Sequence, residues 1–102
     1  MKKFPYAGKK FTLTMNNGLE VVNHYLDDGK TIEVEFLSGD LKGEKMQTTF
    51  AWKPLSDGNF LISWQENDKS TVVHCDNFEK KKSYAYYTTM KGDFYVMEGK
   101  IA

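Results

Sequence analysis

Apolar and polar residues alternate in short runs along most of this chain, and Gly, Asn and Asp punctuate the runs. A period of two is the signature of strands with one dry face and one wet face. From Lys10 to Met15, the side chains of Phe11, Leu13 and Met15 fall on one side and Lys10, Thr12 and Thr14 on the other. The run stops at Asn16-Asn17-Gly18, and Asn-Gly is the strongest short hairpin signal because both residues tolerate positive φ. A second strand, Leu19 to Leu26, ends at Asp27-Asp28-Gly29. Thr31 to Leu37 alternates most cleanly, with Ile32, Val34 and Phe36 opposed by Glu33 and Glu35. Met46, Thr48, Phe50 and Trp52 line one face of a fourth strand ending at Pro54, and Phe60 to Glu66 follows the turn at Ser56 to Asn59. Ser70 to Phe78, Ser83 to Met90 and Phe94 to Ile101 complete the set.

Eight sequential strands joined by tight turns predict an all-β fold, an eight-stranded antiparallel up-and-down barrel, since closure removes exposed strand edges. The predicted inward set is Phe11, Leu13, Met15, Val21, Ile32, Val34, Phe36, Met46, Phe50, Trp52, Phe60, Ile62, Trp64 and Val96. No run has the length or spacing of a sustained amphipathic helix, although a short turn fits around Phe4 to Ala7. Residues 1–102 form a single domain, so any function resides in the barrel or its rims.

Charge narrows the partners. Fourteen basic residues balance fourteen acidic ones, and all the basic residues are lysines, so no Arg fork is available for phosphate or carboxylate. Lys80-Lys81-Lys82 lies in a predicted turn and is too short a run for a nucleic-acid footprint, so nucleic acid is not an expected partner. Met1-Lys2-Lys3 resembles a leader for three residues only, and no apolar stretch approaches the roughly twenty residues of a membrane helix. A single cysteine, Cys75, has no partner for an internal disulfide. The expected setting is therefore cytoplasmic, without membrane attachment, and a homodimer is a candidate assembly.

One charge breaks the dry pattern. Glu66 follows Trp64 by two residues and shares a face with Phe60, Ile62 and Trp64. Enclosed there, its carboxyl would be desolvated and partly protonated near neutrality, as a general acid or a donor to a ligand carbonyl requires. At the strand end it would instead reach water and serve solubility. His74 and Asp76 share a face with Val72 and can join Glu66 in a polar cluster, whereas Cys75 points the other way. No His, Cys or acidic spacing marks a metal site, and none is expected. Tyr84, Tyr86 and Tyr87 place hydroxyls on both faces of the seventh strand, with Tyr86 as the expected lumen contact and Tyr87 covering the barrel wall or a dimer contact. The expected ligand is a small apolar or aromatic molecule walled by Met15, Phe36, Phe50, Trp52 and Trp64, with Glu66, His74 and Tyr86 as polar contacts. No cofactor is called for. Two other readings stand beside this one: an enzyme using Glu66 as acid or base, and a structural or oligomeric module with a filled lumen.

Several short pieces carry a family likeness: Gly8-Lys9-Lys10-Phe11 leading to Asn17-Gly18, Thr31-Ile32-Glu33, Ser38-Gly39 with Gly43, and Ser63-Trp64-Gln65-Glu66. Further on come Thr71-Val72-Val73-His74-Cys75-Asp76-Asn77-Phe78 and Gly92-Asp93-Phe94 leading to Gly99. The chain resembles calycin-like (lipocalin-like) barrels, closest in its later pieces to the MoaF-related proteins of the molybdenum cofactor biosynthesis F family and, more distantly, in its earlier ones to phenolic acid decarboxylases. The decarboxylase resemblance implies a Trp-x-Glu carboxylate that protonates the substrate alkene, which Glu66 matches. It also implies two substrate-holding tyrosines and an arginine, but those positions carry Leu13, Met15 and Glu44. Leu and Met donate no hydrogen bonds and Glu44 would repel a substrate carboxylate, so decarboxylation is not the expected activity.

Overall fold

The computed structural model describes residues 3–102, so Met1 and Lys2 of the basic N-terminal triplet lie outside the described residues. Nine strands follow in order: β1 (Lys10–Met15), β2 (Glu20–Tyr25), β3 (Thr31–Phe36), β4 (Lys45–Thr49), β5 (Ala51–Pro54), β6 (Asn59–Gln65), β7 (Thr71–Asn77), β8 (Lys82–Thr88) and β9 (Phe94–Ile101). A single 3-10 turn, Ser56–Gly58, links β5 to β6. All form one antiparallel sheet in the order β4-β3-β2-β1-β9-β8-β7-β6-β5. Among the described residues no helix is long and apolar enough to cross a membrane.

The first and last strands close on each other, with Leu13 opposite Ile101 and Met15 opposite Gly99. Gly99 is required by this approach: a Cβ there would collide with the carbonyl oxygen of Thr14 and lie 2.8 Å from the Cα of Met15. On the opposite side the predicted fourth strand is two strands. Phe50 donates its N–H to the carbonyl of Lys30 at 2.9 Å, the last step of the β3–β4 ladder, and from Ala51 onward the chain pairs with β6 instead. The two edges of the sheet are thus the two halves of one bent strand. Phe50 turns the corner because its buried ring is held at 5.2 Å from both Phe4 and Tyr25. The barrel is nearly closed, with an unsealed seam between β4 and β6 that the Thr48 hydroxyl bridges by a 3.1 Å hydrogen bond to the Gln65 carbonyl.

One end of the barrel is plugged by aromatic rings. Phe4, brought in by the turn in which the Ala7 N–H donates to the Phe4 carbonyl, is buried at the centre of the plug. Its ring lies 4.8 Å from Tyr25 and 5.3 Å from Trp52, mostly edge to face, and Phe78 packs 4.3 Å from Tyr6 and 4.5 Å from Phe11. Such rings bury a large apolar area at favourable quadrupole geometry.

Val96 faces outward, 61 % exposed, contrary to the predicted inward set. In β9 both parities carry apolar residues. Met97 and Ile101 occupy the interior because Ile101 pairs with Leu13 and Met97 with Ala85, which leaves Phe94 and Val96 on the outer surface beside Tyr86.

Candidate functional site

Above the plug, the inward-facing residues of β2, β7 and β8 form a polar layer rather than an apolar one. Alternation from Val21 brings Asn23 and Tyr25 inside. Alternation from Val72 brings in His74 and Asp76, opposite Ala85 and Ser83 of β8. His74 Nδ1 lies 3.3 Å from an Asp76 carboxylate oxygen and 3.4 Å from the Ser83 hydroxyl, which itself donates to that same oxygen at 2.5 Å. A carboxylate at Nδ1 makes that nitrogen the donor of the pair, and Nε2 lies on the other edge of the ring. The imidazole stacks on Trp64 with centroids 5.1 Å apart.

Among the described residues several buried polar atoms here form no well-aligned hydrogen bond: both amide atoms of Asn23, the Tyr25 hydroxyl, the Trp64 indole nitrogen and the second Asp76 oxygen. Tyr25 is pushed well above the usual tyrosine range by burial and then by the charge of Asp76, and the neighbouring Asn23 amide opposes that rise.

The open end holds the lumen, a cavity of about 340 Å³. Met15, Val34, Phe36, Val72 and Met97 wall it; Asn23 and His74 lie deep, and Glu66 and Tyr87 also border it. The Ser38–Leu41 loop borders it as well, and among the described residues no lysine does. A groove of about 560 Å³ follows the seam, lined by Thr48 to Ala51 and by residues from Ser63 to Thr71, including Lys69. Trp64 and Glu66 border both spaces, so Glu66 stands where the seam meets the lumen.

Glu66 lies just past the end of β6, half-buried, where its N–H donates to the Ser70 carbonyl at 2.8 Å in the turn toward β7. The Tyr87 hydroxyl donates to its carboxylate at 2.8 Å. Burial raises the Glu66 carboxyl above the ordinary glutamate range, the Tyr87 bond opposes that rise, and repulsion from Asp68 adds to it. The Trp64 indole favours the charged form without forming a well-aligned hydrogen bond. Tyr87 is pushed up to about 12 by burial and by the adjacent carboxylate.

Of the expected contacts, Met15, Phe36, Trp64, Glu66 and His74 all border the lumen. Tyr86 does not. It is 52 % exposed on the outer surface opposite Val96, because Ser83 and Ala85 set the inward parity of β8 and Tyr87 continues it. Trp52 belongs to the aromatic plug, and Phe50 to the plug and the edge of the seam. His24 faces outward across from Glu33, away from His74. The Cys75 thiol is raised by burial and by Asp76, the opposite of what a nucleophile needs. Sequence reasoning missed Asn23, Tyr25, Ser83 and Tyr87, although the parity of Val21 already indicated the first two.

The fold and the site together define a near-closed antiparallel β-barrel with an apolar lumen, a polar floor and a sheltered carboxyl at its side opening. The family model described as MoaF-like matches residues 7–102, and the chain belongs to that family. A solved structure named "Crystal Structure of a putative beta-lactamase from Burkholderia vietnamiensis" is similar at 30% sequence identity and a TM-score of 0.95, covering 100% of this chain and 98% of that one. No match was found among curated proteins.

Proposed function

We propose that this protein is a small-molecule-binding barrel of the calycin type that takes a small apolar or aromatic molecule into its lumen. The observation that carries this reading is the apolar cavity of about 340 Å³ bordered by a half-buried carboxyl. That volume lies in the range of small-ligand sites, which are mostly apolar with a few placed polar groups. Met15, Phe36 and Trp64 act as wall, and Glu66 and His74 as polar contacts. Tyr87 replaces Tyr86 as the polar ligand contact from β8, and it also donates to the Glu66 carboxyl. The lone Cys75 suits a reducing cytoplasmic setting.

A second reading, favoured by the raised Glu66 carboxyl, makes the same residue a general acid or base. A beta-lactamase activity, named for the Burkholderia vietnamiensis protein, has less support in this chain in the form of a serine–histidine mechanism. Ser83, the serine beside His74, is fully buried and donates to Asp76, and Ser83 and Asp76 both approach the same imidazole nitrogen. A nucleophilic serine needs the base on one ring nitrogen and the orienting carboxylate on the other.

Native mass spectrometry of the purified chain, followed by a thermal-shift screen of hydroxycinnamates, pterins and small aromatic alcohols, tests the proposal. A bound or stabilising molecule is expected, with affinity reduced in Glu66→Gln. Retained binding with lost turnover in that variant would favour catalysis, and a bare protein with no shift across the panel would sink both readings.

A further inference from the structure

The buried amide of Asn23 has no evident work in the fold. Asn23 is 1 % exposed, it borders the lumen, and among the described residues neither its oxygen nor its nitrogen makes a well-aligned hydrogen bond, Tyr25 being its one side-chain neighbour of that kind. A buried polar group without a well-formed hydrogen bond is destabilising, so a leucine of similar size would suit a purely structural barrel better. Beside Asn23 on the same lining stands His74, whose Nδ1 edge is engaged with Asp76 and Ser83 and whose Nε2 has no protein partner. The deep end of the cavity therefore presents an amide donor and an amide acceptor beside the free edge of an imidazole.

The charges on the lining set a second condition. Asp40 and Glu66 are its acidic members, and among the described residues no lysine reaches it. An anionic ligand would be desolvated there without a compensating cation.

Resting on the ligand-binding reading above, we infer that the lumen recognises an uncharged planar ligand whose buried edge is a lactam or carboxamide. Its N–H meets the Asn23 oxygen and its C=O meets the Asn23 amide nitrogen as a reciprocal pair, with the apolar body against Met15, Val34 and Met97. A ligand edge carrying both donor and acceptor matches the Asn23 amide in either of its two orientations.

Isothermal titration calorimetry on the full chain with quinolin-2-one, N-methylquinolin-2-one, naphthalene and 2-naphthoate tests this. The lactam should bind at least about tenfold more tightly than naphthalene, N-methylation should remove that advantage, and 2-naphthoate should not bind. In Asn23→Leu the lactam and naphthalene should bind alike. Equal binding of lactam and hydrocarbon by the natural chain, or a lactam preference untouched by N-methylation, overturns the lactam assignment and leaves the apolar cavity standing. Failure of all four probes overturns the cavity reading as well. The N-methyl comparison is made on the unaltered protein and so decides the matter even if Asn23→Leu does not fold.

Discussion

At the scale of single residues, the Glu66 carboxyl is caught between burial, which favours its neutral form, and the Tyr87 hydroxyl, which favours its charged form, with burial the larger. The folded chain then holds this proton more tightly than the unfolded chain does. Its contribution to stability is present below the ordinary glutamate range and is lost as pH rises through the raised value. The melting temperature of the natural chain, measured against Glu66→Gln, should fall progressively as pH rises from about 4 to about 8. The variant keeps an acceptor for Tyr87 and carries no charge to desolvate. A difference between the two proteins that stays constant with pH would remove the desolvated carboxyl from the account. The shared face of Glu66 and Trp64 was legible in the sequence because period two needs no tertiary information. So was the shared face of His74 and Asp76. The partner of each was not: Ser83 and Tyr87 arrive from another strand, and which parity of Ser83-Tyr84-Ala85-Tyr86-Tyr87 turns inward depends on its register against β7.

Among the elements, those with a single apolar parity were read most faithfully. β1 has the expected bounds, and β3 differs by one residue at its end. β9 was placed but turned the wrong way at Val96, since Phe94 and Val96 compete with Met97 and Ile101 for the interior. The break at Phe50 was invisible because Met46, Thr48, Phe50 and Trp52 keep one parity through the bend, so only the change of partner from β3 to β6 reveals it. Phe4 lies outside any strand, and its role in closing the barrel depends on a turn rather than on periodicity. The contact between β1 and β9 gives the sharpest prediction at this scale. A methyl group at residue 99 must displace backbone of β1 rather than a flexible side chain. Gly99→Ala should therefore cost at least about 2 kcal/mol, a drop in melting temperature on the order of 10 °C. Thermal unfolding followed by circular dichroism reads this directly, and an unchanged midpoint would mean that the two strands do not approach so closely.

For the molecule as a whole, hydrogen bonds run continuously from β4 around the barrel to β5 and stop there. The strands flanking the gap are joined through the chain at Phe50 and by the Thr48 hydroxyl. Backbone amides of β4 and β5 that face away from β3 and β6 should exchange with solvent at least about a hundredfold faster than those of β7, which is paired on both sides. Hydrogen exchange resolved by residue would show it, and uniform protection around the barrel would mean that the gap is sealed in solution. A ring slit along one side behaves like a collet. It widens by flexing while every rung of its ladder stays intact, and the clasp at Phe50 limits how far. On the ligand-binding reading, a guest somewhat larger than the resting cavity would then be accommodated at the expense of the Thr48 hydroxyl bond and without breaking the backbone ladder.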